Sequence, residues 1–162
     1  METRIRPAIF DDLAGVPDLF EVSIRQIASQ FYSQAQINAW ISSRANLKER
    51  LAAGFSDRAA WVAIDARDRL LAYIDLEPDG HIDFFYAHPD VSRTDTTLRI
   101  YKAAEAEARD RGMSRLYSEA SEAALRFFEK HGFTCLERRE LLVQDTSIHN
   151  YQVEKKLFPP GQ

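Results

Sequence analysis

The chain has 162 residues, of which 45% are hydrophobic and 28% are charged, and its formal net charge is −4. These values are typical of one soluble globular domain, and the negative charge argues against nucleic acid as the main partner. No apolar run approaches the roughly 18 residues of a membrane span, and the first residues lack the apolar region of a signal peptide. The single Cys135 excludes an internal disulfide. We therefore expect a cytoplasmic protein that does not bind a membrane.

The first third of the chain predicts a short strand followed by helices. Residues 3–7 predict the strand, and the residues that follow, up to Ile27, place apolar side chains at helical spacing. Ser33 predicts the N-cap of a second helix. A further helical segment over residues 46–53 is predicted to end at Gly54, since glycine commonly follows the last turn of a helix.

The middle of the chain predicts an antiparallel meander of three strands. Residues 59–64 are apolar throughout, as expected of a strand that is covered on both faces. Residues 70–76 predict the return strand, and residues 81–87 predict the third strand. The turn between these two strands is marked by Pro-Asp-Gly at residues 78–80, which is a strong turn signal.

The remaining elements are predicted in the order helix, strand, helix and closing hairpin. Their bounds are residues 94–111, 115–120, 122–130, 133–143 and 150–157, and Pro159-Pro160 ends the structured chain. The complete order β-α-α-β-β-β-α-β-α-β-β predicts an α/β domain over residues 1–162. Its sheet would be mixed, with helices on both faces.

Three segments resemble the GNAT superfamily of N-acetyltransferases. They are 86-YAHPD-90 before a long helix, 125-LRFFEKHGF-133 before the closing hairpin, and 150-NYQVEKKL-157 in the last strand. The resemblance covers essentially the whole chain. It implies a GNAT-like, mostly antiparallel mixed sheet of six to seven strands, in a protein that is a monomer or a homodimer.

The resemblance also implies an activity, which is direct transfer of an acetyl group from acetyl-CoA to the amine of a small molecule or a peptide. The strands over residues 81–87 and 115–120 would run parallel and splay apart, with acetyl-CoA in the gap. Pantetheine would pair with the backbone around Phe85, Tyr86 and Ala87. The pyrophosphate would meet backbone N–H groups at the start of the next helix.

The phosphate loop departs from the family pattern Gln/Arg-x-x-Gly-x-Gly/Ala. Its six positions fall on Ser92, Arg93, Thr94, Asp95, Thr96 and Thr97. Glycine lets the backbone approach phosphates without a Cβ in the way, and here Asp95 and Thr97 occupy the two small positions. Asp95 would also bring negative charge near the phosphates, with a repulsion that water and salt weaken.

Three interpretations of this loop are open. In the first, Ser92 and Asp95 form a capping pair that leaves no N–H group for a ligand, so the domain has lost or weakened CoA binding and acts as a binding or interaction module. In the second, Arg93 and the hydroxyl groups of the loop donate hydrogen bonds to phosphate. In the third, the donor is a different acyl-CoA or acyl-carrier thioester.

His81 and Asp83 are the candidates for the base that deprotonates the amine. The strand period places both residues on one face with Phe85 and Ala87. The ordinary pKa of imidazole, near ~6.5, suits such a base. The alternative is a histidine beside a turn and a surface aspartate, although a charged residue within an apolar strand calls for an explanation.

The acid that protonates the leaving thiolate is not identified by the resemblance. Many family members use a tyrosine of the late helix, and this chain has Phe128 at that position beside the cofactor. Phenylalanine cannot donate a proton, so the candidates are Tyr151, Tyr117 or water. For both tyrosines, packing is the alternative role.

The acceptor site is predicted in the early helices. Tyr32, Gln36 and Trp40 fall at i, i+4 and i+8 if the helix is continuous, although a cap at Ser33 would interrupt it. Core packing is the alternative for these aromatic residues. The histidines and carboxylates show no metal-binding spacing such as His-Glu-x-x-His, so no metal site is predicted.

Overall fold

The computed structural model describes residues 2–157, so the predicted end of the fold at Pro159-Pro160 lies outside the described residues. Within this range the chain forms seven strands and five α-helices. The strands are β1 (Arg4–Pro7), β2 (Ala59–Ile64), β3 (Leu70–Leu76), β4 (Ile82–Ala87), β5 (Arg115–Ala120), β6 (Thr134–Val143) and β7 (Thr146–Lys156). The helices are α1 (Val16–Gln26), α2 (Gln34–Ser42), α3 (Leu47–Gly54), α4 (Thr96–Asp110) and α5 (Glu122–Lys130).

The predicted order of the strands is confirmed, although three helices rather than the two of the predicted order lie between β1 and β2, and the bounds of β2, β3, β5 and α5 are those predicted. The largest difference is in the last strand, which begins at Thr146 rather than at Asn150 because the hairpin turn is a tight one at Gln144 and Asp145. Both turn residues have positive φ angles, 48° and 64°. No helix within residues 2–157 combines the length and the apolarity needed to cross a membrane.

The strands form two antiparallel sheets, in the orders β1-β2-β3-β4 and β5-β7-β6. The two sheets meet where β4 and β5 begin. His81 pairs there with Tyr117 in a parallel bridge, and the Tyr117 N–H donates to the carbonyl of Gly80 at 3.0 Å. Among the described residues this bridge is the only backbone pairing between the two strands, so they separate towards their carboxyl ends, as the resemblance implies.

The helices cover both faces of the first sheet, and each face has its own core cluster. Val62 and Ala63 are adjacent on β2 and fully buried, yet they belong to different clusters. The cluster around Val62 includes α1, α2 and α3, and the cluster around Ala63 includes α4 and α5. This two-sided burial explains why the sequence of β2 is apolar throughout instead of alternating.

A bulge interrupts the pairing of β3 with β4. The register shifts between Ile74 and Leu76, so that two residues of β4 oppose Asp75 alone. The carboxylate of Asp75, which is fully buried, accepts the N–H of Phe84 at 3.0 Å. A side chain thus satisfies a backbone donor beside the irregular part of the ladder.

The bulge also changes which way the side chains of β4 point. The carboxylate of Asp83 meets Arg58 at 2.7 Å, on the side of the sheet where Arg58 also binds Asp75. Phe85 packs instead on α5, against Phe128. The prediction that Asp83 and Phe85 share a face is therefore wrong, since a strict period of two does not hold across a bulge.

Candidate active site

A cavity of about 560 Å³ lies between β4, the start of α4 and the inner face of α5. Its wall includes Ser121, the residue that follows β5. Apart from Thr96 and Phe128, every residue that the sequence predicts to hold the cofactor lines this cavity. The cavity therefore joins a strand edge to a helix N-terminus, which suits an elongated ligand with an anionic group.

The sequence did not identify the cavity residues of α1 and α5. Ile24 and Ile27 line one wall, and Ala123, Ala124 and Phe127 line another. The two alanines that follow Ser121 and Glu122 are a weak signal, because small side chains in a first turn leave room for a neighbour. No local pattern indicates that α1 faces the cavity, since its apolar residues also fit an ordinary core helix.

The N-terminus of α4 presents unpaired backbone donors to the cavity. Asp95 is the N-cap residue, but its carboxylate makes no capping bond, and the Ser92 hydroxyl donates to the carbonyl of Pro89 at 3.0 Å. The capping pair predicted for Ser92 and Asp95 is therefore wrong. Across residues 2–157 no group accepts a hydrogen bond from the N–H of Thr97 or of Leu98, and both residues line the cavity.

The threonines of this loop have three different surroundings. The Thr94 hydroxyl accepts the N–H of Thr96 at 3.2 Å and donates to the carbonyl of Val91. The Thr96 hydroxyl is buried and bonded to Thr3, so it lies away from the cavity. The Thr97 hydroxyl is buried at the cavity wall and has no partner in the described part of the chain. Buried polar groups are seldom left unpaired, so Thr97 is a candidate donor to a ligand.

The charges around the cavity are of both signs. Two exposed cations, Arg93 and Lys130, line the cavity, and so does the exposed Asp95. The cations and the helix N-terminus favour an anion, whereas Asp95 opposes one. The charges therefore favour a phosphorylated ligand, although the carboxylate of Asp95 would weaken its binding.

Phe128 is buried behind the residues that line the cavity. It is 2% exposed, and its ring lies 6.0 Å from the ring of Phe85 and 4.7 Å from the ring of Phe133, measured between centroids. Its role within the described structure is therefore packing. Through Phe85 it packs against β4, and it has no polar atom that could take part in proton transfer.

His81 lies outside the cavity wall, between two carboxylates. Its Nδ1 is 2.7 Å from Glu77 and its Nε2 is 2.7 Å from Glu119, while its ring stacks on Tyr117 at 4.8 Å. Burial disfavours the charged imidazole, but the hydrogen bonds to Glu119 and Glu77 outweigh it and raise the pKa of His81 to about 9. His81 is therefore a cation at neutral pH with no free lone pair. The catalytic role stays a prediction, and this environment counts against it.

Asp83 belongs to a buried ion-pair network. Arg58 binds Asp83 at 2.7 Å and Asp75 at 3.1 Å, and the Tyr73 hydroxyl donates to Asp75 at 3.0 Å. Burial raises the pKa of Asp75 to about 6. Because Asp83 is already paired with Arg58, its role as a base also stays a prediction that its surroundings do not favour.

Glu77, His81 and Asp83 place ligand-type atoms within 4.8 Å of one another, a spacing that can suit a metal ion. The histidine nitrogens are taken by carboxylates and the aspartate is taken by Arg58. The ligand-type atoms of this group are thus already engaged by protein side chains, and its geometry does not call for a cation.

A second polar cluster lies at the N-terminus of α5 and consists of Tyr32, Glu122, His149 and Tyr151, hereafter the Glu122 cluster. One oxygen of Glu122 is 2.7 Å from the Tyr151 hydroxyl and 2.7 Å from His149 Nε2. The Tyr32 hydroxyl donates to the carbonyl of His149 and accepts the N–H of Glu122, both at 3.0 Å. The hydrogen bond to Glu122 raises the pKa of Tyr151. The sequence predicted a functional role for Tyr32 and Tyr151 but not for Glu122 and His149.

The other residues predicted for the acceptor site make structural contacts. Ser33 caps α2, so Tyr32, Gln36 and Trp40 do not share one continuous helix. Gln36 completes the capping box and donates to the carbonyl of Ser147 at 2.9 Å. Trp40 packs edge-on against Tyr32 at 5.6 Å. None of the three lines the cavity, and their role in binding an acceptor stays a prediction.

Known proteins match this chain over most of its length. The model of the acetyltransferase (GNAT) domain matches residues 28–155. YafP, an uncharacterised N-acetyltransferase of Escherichia coli K12, is 26% identical over 159 residues, covering 93% of this chain and 92% of the relative. A GCN5-related N-acetyltransferase from Rhodopseudomonas palustris has a TM-score of 0.86 at 28% identity and 97% coverage of both chains. The PaiA N-acetyltransferase from Thermoplasma acidophilum, solved with coenzyme A, has the same fold (TM-score 0.77, 21% identity, 97% of this chain and 100% of that chain).

Proposed function

The chain belongs to the GNAT acetyltransferase family, and on that premise we propose that it is an N-acetyltransferase that uses acetyl-CoA and acts on an amine of a small molecule or a peptide. The observation that carries this proposal is the cavity beside β4, with unpaired N–H groups of Thr97 and Leu98 at one end. A helix N-terminus with unpaired donors is a ready site for a phosphate group.

The residues present fit CoA at both ends of the cavity. The strand residues Phe85–Ala87 offer backbone alongside the cavity, as pantetheine requires, and the start of α4 offers N–H donors for the pyrophosphate. Arg93 and Lys130 add positive charge. The proposed role of Thr97 is that of a further donor, because its buried hydroxyl has no other partner among the described residues.

Acetyl-CoA, when bound, supplies an activated carbonyl carbon in a thioester. The residues of the chain would then hold the anionic part at α4, exclude water along the apolar wall of Phe85 and Phe127, and accept the proton of the amine. The first two tasks follow from cavity-lining positions. The third needs a base within reach of the acceptor.

A weaker affinity for CoA is the second candidate property of this site, and Asp95 favours it. Its exposed carboxylate lines the cavity where an anion would bind, so it would repel the pyrophosphate. A domain with such weakened binding would act as a binding or interaction module. The open N–H groups of α4 favour the enzyme over this alternative.

Isothermal titration calorimetry with acetyl-CoA tests the proposal directly. We expect saturable heat at a stoichiometry of about one, and a rise in melting temperature at ligand concentrations well above Kd. No heat and no thermal stabilisation at millimolar acetyl-CoA would overturn the enzyme proposal and leave the binding-module alternative.

A further inference from the structure

We propose that His149, oriented by Glu122, is the general base that takes the proton from the acceptor amine. This inference rests on the proposed function, and it assigns a catalytic role to a histidine that no motif of the sequence singled out. Glu122 is the positioning residue. The acceptor class that follows from the Glu122 cluster is a primary amine that arrives as a cation.

The Glu122 cluster lies beside the cavity. Ser121 and Ala123, the two chain neighbours of Glu122, both line it. Tyr151 pairs with Ala120, the last residue of β5, at the end where β4 and β5 have separated. The cluster is therefore adjacent to the cavity wall at the end of β5, on the side from which a second substrate would reach the ligand of the cavity.

The hydrogen bond between Glu122 and His149 selects the tautomer of the imidazole. A carboxylate accepts hydrogen bonds, so the Nε2 of a neutral His149, 2.7 Å from Glu122, must carry the hydrogen. The lone pair is then on Nδ1, which has no partner within residues 2–157. A fixed imidazole with a free lone pair, oriented by a carboxylate, is the arrangement a general base requires.

The other contacts of the cluster keep this pair rigid. Tyr32 binds the carbonyl of His149 and the N–H of Glu122 with one hydroxyl, and its ring lies 5.0 Å from the imidazole ring. Tyr151 donates to the oxygen of Glu122 that also binds His149. Both members of the pair are thus tied to the same tyrosine, so their relative position does not depend on solvent.

The cluster also has the chemistry to attract a cation. The second carboxylate oxygen of Glu122, Oε1, has no partner among the described residues. The rings of Tyr32 and Tyr151 flank the imidazole at 5.0 and 5.7 Å. A carboxylate beside aromatic faces is a favourable environment for an ammonium group. By contrast, His81 has both ring nitrogens engaged by carboxylates.

The proton balance of the step is as follows. Nδ1 of His149 takes one proton from the ammonium group, and the neutral amine nitrogen forms a bond to the thioester carbon as the carbon–sulfur bond breaks. The nitrogen then loses a second proton, which ends on the thiolate, so CoA leaves as a thiol. The proton on His149 passes to solvent and is the net proton released.

Nitrogen-15 NMR of the full-length protein tests the pair without an acceptor. We expect the ring nitrogens of the neutral His149 to show the Nε2–H tautomer, because the Glu122 carboxylate can only accept a hydrogen bond from Nε2. Glu122→Gln should move the ring signals of His149, whereas Glu129→Gln, on the exposed side of α5, should leave them in place. An Nδ1–H tautomer in the wild type would overturn the proposal.

Steady-state kinetics with acetyl-CoA and spermidine, tyramine or L-lysine test the role in turnover. We expect His149→Gln to lower kcat/KM about 100-fold or more, with the Kd for acetyl-CoA unchanged by calorimetry. Turnover within about threefold of wild type would overturn the base role alone. No acetyl-CoA binding to the wild type would overturn the proposed function and the base role together.

The pH profile separates a base from a structural residue. The titratable groups that face His149 are Glu122 on α5, Tyr32, Tyr151 on β7, and Arg138 and Glu140 on β6. None of them is an imidazole, so a fall in the kcat/KM of the wild type towards acidic pH that His149→Gln lacks is assigned to His149. His149→Gln should abolish this acidic limb, and a limb that persists in the variant would contradict the assignment.

Discussion

The hydroxyl groups of Thr3 and Thr96 share a hydrogen bond of 2.8 Å, although the two residues are 93 positions apart. Both side chains are buried, and Arg99 adds a bond of 3.1 Å to the same Thr3 hydroxyl. This link ties the first turn of α4 to the N-terminal part of the chain beside β1. It turns Thr96 into the core and leaves the N–H groups of its two successors, Thr97 and Leu98, facing the cavity.

Asp95→Asn should tighten acetyl-CoA binding, because the variant removes a negative charge from the cavity rim while keeping the size of the side chain. We expect Kd to fall about threefold to tenfold at low salt, and the gain to shrink as salt screens the charge. Calorimetry at two ionic strengths measures it. Asp110→Asn, which makes the same change at the exposed far end of α4, is the matched control. Equal affinities for Asp95→Asn and wild type would refute the repulsion.

Ala123→Trp should block the cavity, because the alanine lines its wall and the indole would take up much of the space. We expect loss of the calorimetric signal with acetyl-CoA and a far-ultraviolet circular dichroism spectrum like that of the wild type. Ala106→Trp, on the exposed face of α4, controls for the added indole. Wild-type affinity in Ala123→Trp would show that acetyl-CoA binds elsewhere.

His81→Gln should destabilise the protein in a pH-dependent way. The pKa of His81 is raised to about 9 in the folded state, so its stabilisation is fully present below about pH 6.5 and is lost as the pH rises through 9. We expect the variant to lose roughly 3 kcal/mol of unfolding free energy at about pH 6 and progressively less above pH 7. Urea unfolding along a pH series measures this. A loss of unfolding free energy that stays constant up to pH 10 would show that the charged imidazole is not the source of the stabilisation.

Asp75→Asn should change the pH dependence of stability at lower pH than His81→Gln does, between about pH 4 and pH 6. Burial raises the pKa of Asp75 to about 6 in the folded state. Its contribution to stability is therefore fully present below the unfolded value near ~4 and is lost as the pH rises through 6. The unfolding free energy of the wild type minus that of the variant should fall by about 2–3 kcal/mol from pH 4 to pH 7. Parallel pH curves for the two proteins would contradict this.

The resemblance to the family, the order of the strands, and the bounds of β2, β3, β5 and α5 could all be predicted from the sequence. Local chemistry is sufficient for these, since the Ser33 and Ser121 caps and the apolar run of β2 each act through neighbours in the chain. The segment before α4 was identified as the phosphate loop by its place between a strand and a long helix. Six of its residues were named from the family pattern, and all but Thr96 line the cavity.

The directions and partners of the polar side chains could be known from the tertiary structure alone. The Thr96 side chain is buried because its hydroxyl bonds to Thr3, and His81 is charged because it meets Glu77 from the turn after β3 and Glu119 from β5. His149 meets Glu122 because β7 lies against the start of α5. Except for the contact of His81 with Glu77, these contacts join residues far apart in sequence, and the pKa and the free lone pair of a side chain depend on such neighbours. No spacing within a single segment contains that information.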